Sequence, residues 1–199
     1  MAERDAMIDS TRPGHYGAPG VGVTVAEATI AAAWNVQGDA SRASFVDEVR
    51  SVFGIALPIA PNTLTTADSL TALWLGPRSW LLIAGASPLV GFTAKRDALN
   101  AGGALFDVSA SRVAWTVSGP RATDVLAKGC PLDFHPRVYS AGTCAQSLLG
   151  HTNALFIKHD DAPTFTVMVA RSFAHDAWQA LTTSAAQYGI EVRAPTPYR

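Results

Sequence analysis

Along the chain, stretches with an apolar residue at every second position alternate with stretches whose apolar residues recur every three to four positions. The first pattern predicts half-buried strands and the second amphipathic helices. Residues 27–36, EATIAAAWNV, read as a strand ending near Trp34 and Val36. In 40–53, Phe45, Val46, Val49, Val52 and Phe53 share one helical face, and Gly54 follows where a left-handed cap is expected. Pro, Asn and Thr make 57–70 a loop. TALWLGPRSWLLIAG, 71–85, is a hairpin about the turn Gly76-Pro77-Arg78-Ser79. Ser87-Pro88 supplies an N-cap and a first-turn proline for a helix over 88–100, with Leu89, Phe92 and Leu99 apolar. Gly102-Gly103 ends it, and ALFDV, 104–108, is a strand.

The order β-α-β-β-α-β is that of a ferredoxin-like unit, and it then begins again. Val113, Trp115 and Val117 alternate through the strand 112–118. Ser118-Gly119-Pro120 opens a helix to Lys128, which Gly129 closes. Strands follow at 143–149, 153–158 and 164–170, the last after the polar turn 159–163. Ser172 caps a helix to Tyr188 that buries Ala174, Ala177, Trp178, Leu181 and Ala185; Gly189 ends it before a strand at 190–192. The expected fold is therefore α+β: two tandem ferredoxin-like βαββαβ-type units packed as one body. The first covers 21–108 and the second 109–199, with a flexible polar arm over 1–20. Only Ser109–Ser111 separate the units, too short a linker for independent beads.

Composition narrows the function. Charged residues are only 16% of the chain and apolar residues 48%, so part of the surface is expected to be covered by another protein. The net charge is -1, with no cluster of cations to neutralise phosphates, which argues against nucleic acid. No apolar run approaches the ~20 residues of a membrane span, and the N-terminus has no signal-like apolar core. With two cysteines, Cys130 and Cys144, the expected setting is the reducing cytoplasm.

The densest chemistry lies in GCPLDFHP, 129–136. Cys130, Asp133 and His135 are the residue types of a thiol nucleophile with its base, or of half a zinc site. Against the nucleophile, Cys130 follows a helix C-terminus, whose partial negative charge disfavours a thiolate. Against zinc, Cys-x2-Asp-x-His matches no common ligand spacing. Pro131 cannot continue the helix and Pro136 restricts His135 to extended geometry, so the favoured reading is a helix exit and turn. Elsewhere His159, Asp160 and Asp161 form a solvated turn rather than a cation site. Asp107 caps a turn rather than acting as a base, and Asp124 stands alone. Trp34, Trp74, Trp80, Trp115 and Trp178 are core or interface residues.

Three segments carry a resemblance: LWLGPRSWLLIAG, FDVSASRVAWTVSGPRATDVLAKGCPLDFHP and VARSFAHDAWQAL. Together they resemble the gamma subunit of heterotetrameric sarcosine oxidase, over about residues 20–189. FDVS…VSGPRATDVL is also similar to the wider folate-binding superfamily of the glycine-cleavage aminomethyltransferase, whose folate-binding domain the fold should then resemble. The resemblance implies a chain without cofactors of its own. It implies alpha, beta and delta subunits as partners, with FAD, FMN, NAD and zinc held by those subunits. The implied reaction is oxidative demethylation of sarcosine. It also implies that Gly129, Cys130, Pro131, Asp133, His135 and Pro136 form a family-specific turn, structural or in contact with a partner, rather than a catalytic site. The folate-dependent relatives carry a Gly-rich hairpin with an acidic residue for the pterin. Here the hairpin reads SLLGHTNALFIK, 147–158, with one glycine and no acid. A pterin donor buried without that carboxylate would cost roughly 1–3 kcal/mol. The competing readings are a free-standing folate-binding protein or one-carbon transferase, and a cysteine hydrolase using Cys130.

Overall fold

The computed structural model describes residues 12–85, 91–99 and 102–199. Its strands are β1 (Gly14–Tyr16), β2 (Val23–Thr29), β3 (Ala32–Gln37), β4 (Leu64–Ala67), β5 (Leu70–Gly76), β6 (Ser79–Ala84), β7 (Ala104–Asp107), β8 (Arg112–Ser118), β9 (Thr143–Leu149), β10 (Thr152–Lys158), β11 (Thr164–Ala170) and β12 (Ile190–Pro197). Its helices are α1 (Ala43–Phe53), α2 (Phe92–Ala98), α3 (Ala122–Gly129) and α4 (Ala174–Ala185). The strands make a large sheet, β1-β12-β2-β8-β11-β10-β9, and a small sheet, β4-β5-β6-β3-β7.

Each sheet repeats one plan. In the small sheet β3-α1-β4-β5-β6-α2-β7 folds with β7 and β6 flanking β3; in the large sheet β8-α3-β9-β10-β11-α4-β12 does the same about β8. The large sheet adds two strands from the first half of the chain: β1 at its edge, and β2 between β12 and β8, parallel to one and antiparallel to the other. The sheets therefore do not part at residue 108, since β1 and β2 join the strands of the second half.

Strand alternation sorts the side chains into three apolar layers. Val113, Trp115, Val117, Phe156 and Val167 face α3 and α4. Trp34, Val36, Phe45, Trp80 and Leu82 pack with α1. The opposite faces meet each other through Ala33, Leu81 and Ile83 on one sheet and Ala114, Leu155, Ile157 and Met168 on the other. The molecule is a helix–sheet–sheet–helix stack. Tyr198, just past β12, enters the middle layer, and its carbonyl leaves no room for a Cβ at Gly85.

Several expectations are corrected. The strand expected at 27–36 is two strands in different sheets, divided at Ile30–Ala31, where no Gly, Pro or Asn marks the crossing. β4 lies inside the expected loop 57–70; it is an edge strand, LTTA, without apolar alternation. β12 continues past Val192 to Pro197. β1 pairs with it only at Ile190–Val192, so its outer edge is free to accept prolines. Residues 14–16 of the expected flexible arm form β1, paired with Ile190–Val192. Ser172 makes no capping bond; it lies in a 3-10 turn over Arg171–Phe173, and α4 starts after Phe173. The Ser87-Pro88 start lies outside the described residues, and the described helix is Phe92–Ala98.

Candidate functional site: the turn after the third helix

α3 packs Ala122, Val125 and Leu126 into the core and ends when Cys130 turns extended, at φ -133 and ψ 132. Gly129 is thus the last helical residue rather than a residue beyond the helix. Its carbonyl accepts the Gly150 N–H at 2.7 Å, so the β9–β10 turn satisfies the helix end. Cys130 is buried in the helix-side core. Phe134 is the plug of the turn: its ring lies 5.3 Å from both Tyr139 and Phe156 and 5.4 Å from Phe165, edge-on to each. Tyr139 Oη donates to the Phe156 carbonyl at 2.8 Å, closing the turn onto β10.

The polar groups serve the backbone. Asp133 accepts the His135 N–H at 2.9 Å, and His135 Nδ1 accepts the Arg137 N–H at 3.2 Å. The His135 carbonyl accepts from Val138 and Tyr139. Among the described residues no hydrogen bond joins the Cys130 thiol to the imidazole or the carboxylate, so the structure brings the three letters near in sequence without making a relay. Pro131, Asp133, His135 and Pro136 are exposed, as are Arg137 and Val138 beyond them. Gly129 also borders a surface groove of ≈ 620 Å³ that runs along α4, lined by Lys128, Gly150, His151, Phe173 and Gln179. Phe173, 48% exposed, and Val138, 63% exposed, are large apolar residues left in the open. Sequence reading passed over both, because an exposed apolar residue looks like a core one until the element faces are known.

The other candidates resolve into structural roles. Asp107 accepts the Ser109 N–H at 2.9 Å and its hydroxyl at 2.5 Å, a turn cap. Asp124 pairs with Arg121 at 3.0 Å in the first turn of α3. All five tryptophans pack in the two helix-side layers, and Trp80 Nε1 donates to the Pro58 carbonyl at 2.8 Å. The turn 159–163 joins β10 to β11; its residues 161–163 are exposed and His159 is half-buried. Its ring meets Tyr198 edge-on at 5.3 Å, and burial, with Arg199 next, pushes its pKa down. Cys144 lies between the sheets and donates to the Thr63 carbonyl at 3.2 Å; burial pushes its thiol up to about 11. Among the described residues, no group of three or more His, Cys, Asp or Glu gathers to hold a metal, and no helix is long and apolar enough to cross a membrane. The hairpin turn Gly150–His151 carries no carboxylate.

This geometry can be set beside known proteins. The sarcosine oxidase subunit gamma of Corynebacterium sp. (strain U-96) is 35% identical over 103 residues, 51% of this chain and 50% of that protein. The Arthrobacter sp. subunit gamma is 33% identical over 123 residues, 60% of this chain and 58% of that protein. The chain thus spans about half the length of these curated relatives. In fold it matches the structure of heterotetrameric sarcosine oxidase from Corynebacterium sp. U-96 in complex with pyrrole 2-carboxylate. That match has a TM-score of 0.75 and 24% identity, over 86% of this chain and 88% of that one. It also matches the glycine cleavage system aminomethyltransferase T from Bartonella henselae, with a TM-score of 0.61 and 12% identity over 88% and 48% of the two chains. The expected α+β fold, akin to that of the aminomethyltransferase, is the fold observed. The family model "Sarcosine oxidase, gamma subunit family" matches residues 37–187, well over half of the sequence and including the whole GCPLDFHP turn, and the chain therefore belongs to the sarcosine oxidase gamma subunit family.

Proposed function

We propose that the chain is the non-catalytic gamma subunit of a heterotetrameric, flavin-dependent sarcosine oxidase in cytoplasmic sarcosine catabolism. The assembly converts sarcosine, oxygen and water to glycine, hydrogen peroxide and formaldehyde; with tetrahydrofolate the one-carbon product is methylenetetrahydrofolate. The partners are the alpha, beta and delta subunits, which carry FAD, FMN, NAD and zinc, and this chain binds none of them. The observation that carries the reading is the family match over 37–187, running through the turn that buries Cys130 and Phe134. The turn's exposed face, Asp133, His135, Arg137 and Val138, is a contact for a larger subunit. Exposed apolar residues ringed by polar ones are what a subunit contact needs.

The deciding experiment is affinity capture of the tagged chain from its native cells grown on sarcosine. Flavin absorbance in the captured fraction, with large, medium and small companions and sarcosine-dependent peroxide, supports the reading. A colourless chain without companions would overturn it. A free-standing folate-binding protein predicts instead that the chain alone binds tetrahydrofolate with quenching of its tryptophans. The acid-free hairpin speaks against it.

A further inference from the structure

The middle layer does not close everywhere. A cleft of ≈ 460 Å³ opens between the sheets, lined by Leu75 and Leu81 of the small sheet and by Arg112, Gln146, Leu148 and Leu155 of the large one. Gln146 donates to the Leu75 carbonyl at 2.8 Å and ties the two rims together. Leu148 is 42% exposed. Leu81 stands opposite Asn35, and Asn35 opposite Phe106, so all three share one face of the small sheet. Phe106 continues that face two strands from the cleft and is 49% exposed.

Arg112 is the one charged residue of this wall. It opens β8, in the alternation of Ala114, which faces the middle layer. Its Nε is buried and has no hydrogen-bond partner among the described residues. No carboxylate there lies within ion-pair distance of it. On its other side the side chain borders a crevice of ≈ 80 Å³ shared with Glu27 and Arg171. Glu27 does not serve it: the charge that acts on that carboxylate is Arg171. Arg171 in turn donates to the Ala110 carbonyl at 2.9 Å. Burial holds the Arg112 pKa below its ordinary value, with no compensating anion. A half-buried guanidinium left unpaired is costly, and its planar fork is matched by a carboxylate.

We infer that the cleft receives a carboxylate side chain flanked by apolar residues from a larger subunit, with Arg112 as its two-pronged anchor and Leu75, Leu148 and Phe106 covering the flanks. This rests on the subunit reading. A protein occupant fits better than a small free carboxylate because exposed apolar residues stand both on the cleft rim, at Leu148, and two strands away past Asn35, at Phe106, farther apart than a small molecule would cover. An isolated charge in a wall otherwise built of neutral residues, polar Gln146, Ser147 and Asn153 beside the leucines, sets register more than it adds bulk affinity.

The test is capture of partner subunits by the tagged chain in wild-type, Arg112→Met and Arg112→Glu forms, read as bound flavin per tagged chain, with the melting temperature of each free chain as control. Removing an unpaired buried cation should leave the Arg112→Met chain as stable as wild type or more so. Its capture should nevertheless fall, and Arg112→Glu should lower capture roughly tenfold or more. If Arg112→Glu fails to fold, Arg112→Met decides. Capture by Arg112→Met equal to wild type would overturn the inference and leave the subunit reading standing. So would an Arg112-dependent rise in the free chain's melting temperature with benzoate but unchanged capture, which would assign the cleft to a small carboxylate. If the wild-type chain itself captures no flavoprotein, the subunit reading fails and the inference falls with it.

Discussion

Cys130 shows how little a residue type says without its surroundings. It sits near an aspartate and a histidine in sequence, yet the residue is only 6% exposed in an apolar cluster while His135 and Asp133 bond to backbone amides. Cys130→Ala should therefore cost about 1–2 kcal/mol of stability through lost packing and leave turnover of the assembled oxidase near wild type. A hundredfold loss of turnover in an intact complex would assign the thiol a chemical role. Cys144 makes a second, independent prediction. Burial lifts its thiol from an ordinary 9.0 to about 11, and burial also raises Tyr139 and Tyr198 above the ordinary tyrosine value. The unfolded chain loses these protons first, so the folded state binds more protons above about pH 9 and stability must fall there as pH rises. The melting temperature should hold up to about pH 9 and then decline. Cys144→Ala should start lower but show a shallower decline. A wild-type melting temperature flat through pH 11 would contradict the assignment of these buried neutral groups.

At the scale of elements, legibility followed the strength of the local signal. The β5–β6 hairpin was readable because apolar runs flank a Gly-Pro turn, and the buried face of α4 because Ala174, Ala177, Trp178, Leu181 and Ala185 keep helical spacing. The β2–β3 boundary was not readable, since a run of alanines and β-branched residues suits one long strand as well as two. β4 and the end of β12 were hidden because their pairing comes from distant strands rather than from their own pattern. Ser172 is the instructive near miss: a good capping letter, placed inside a 3-10 turn with no capping bond. Ser172→Ala should change stability by less than about 0.5 kcal/mol, where loss of a true cap costs about 1 kcal/mol. Chemical denaturation of the free chain measures the difference, and a loss above about 1 kcal/mol would show that the hydroxyl does cap.

The whole molecule joins two copies of one plan face to face. The three layers came from strand alternation, so the α+β class was legible. The insertion of β2 between β8 and β12 was not, because it depends on which sheet edge a strand finds. Nor was the Arg112 cleft, which exists only where two sheets diverge. The same architecture buries a core in each half and leaves Val138, Phe173, Phe106 and Leu148 outside. Subunit identity is tested most directly by capturing the tagged chain from sarcosine-grown native cells and assaying the eluate for flavin and sarcosine-dependent peroxide. A gamma subunit should come out in a yellow complex with companion subunits that makes peroxide on adding sarcosine. A colourless chain, alone and inert toward sarcosine, would contradict it.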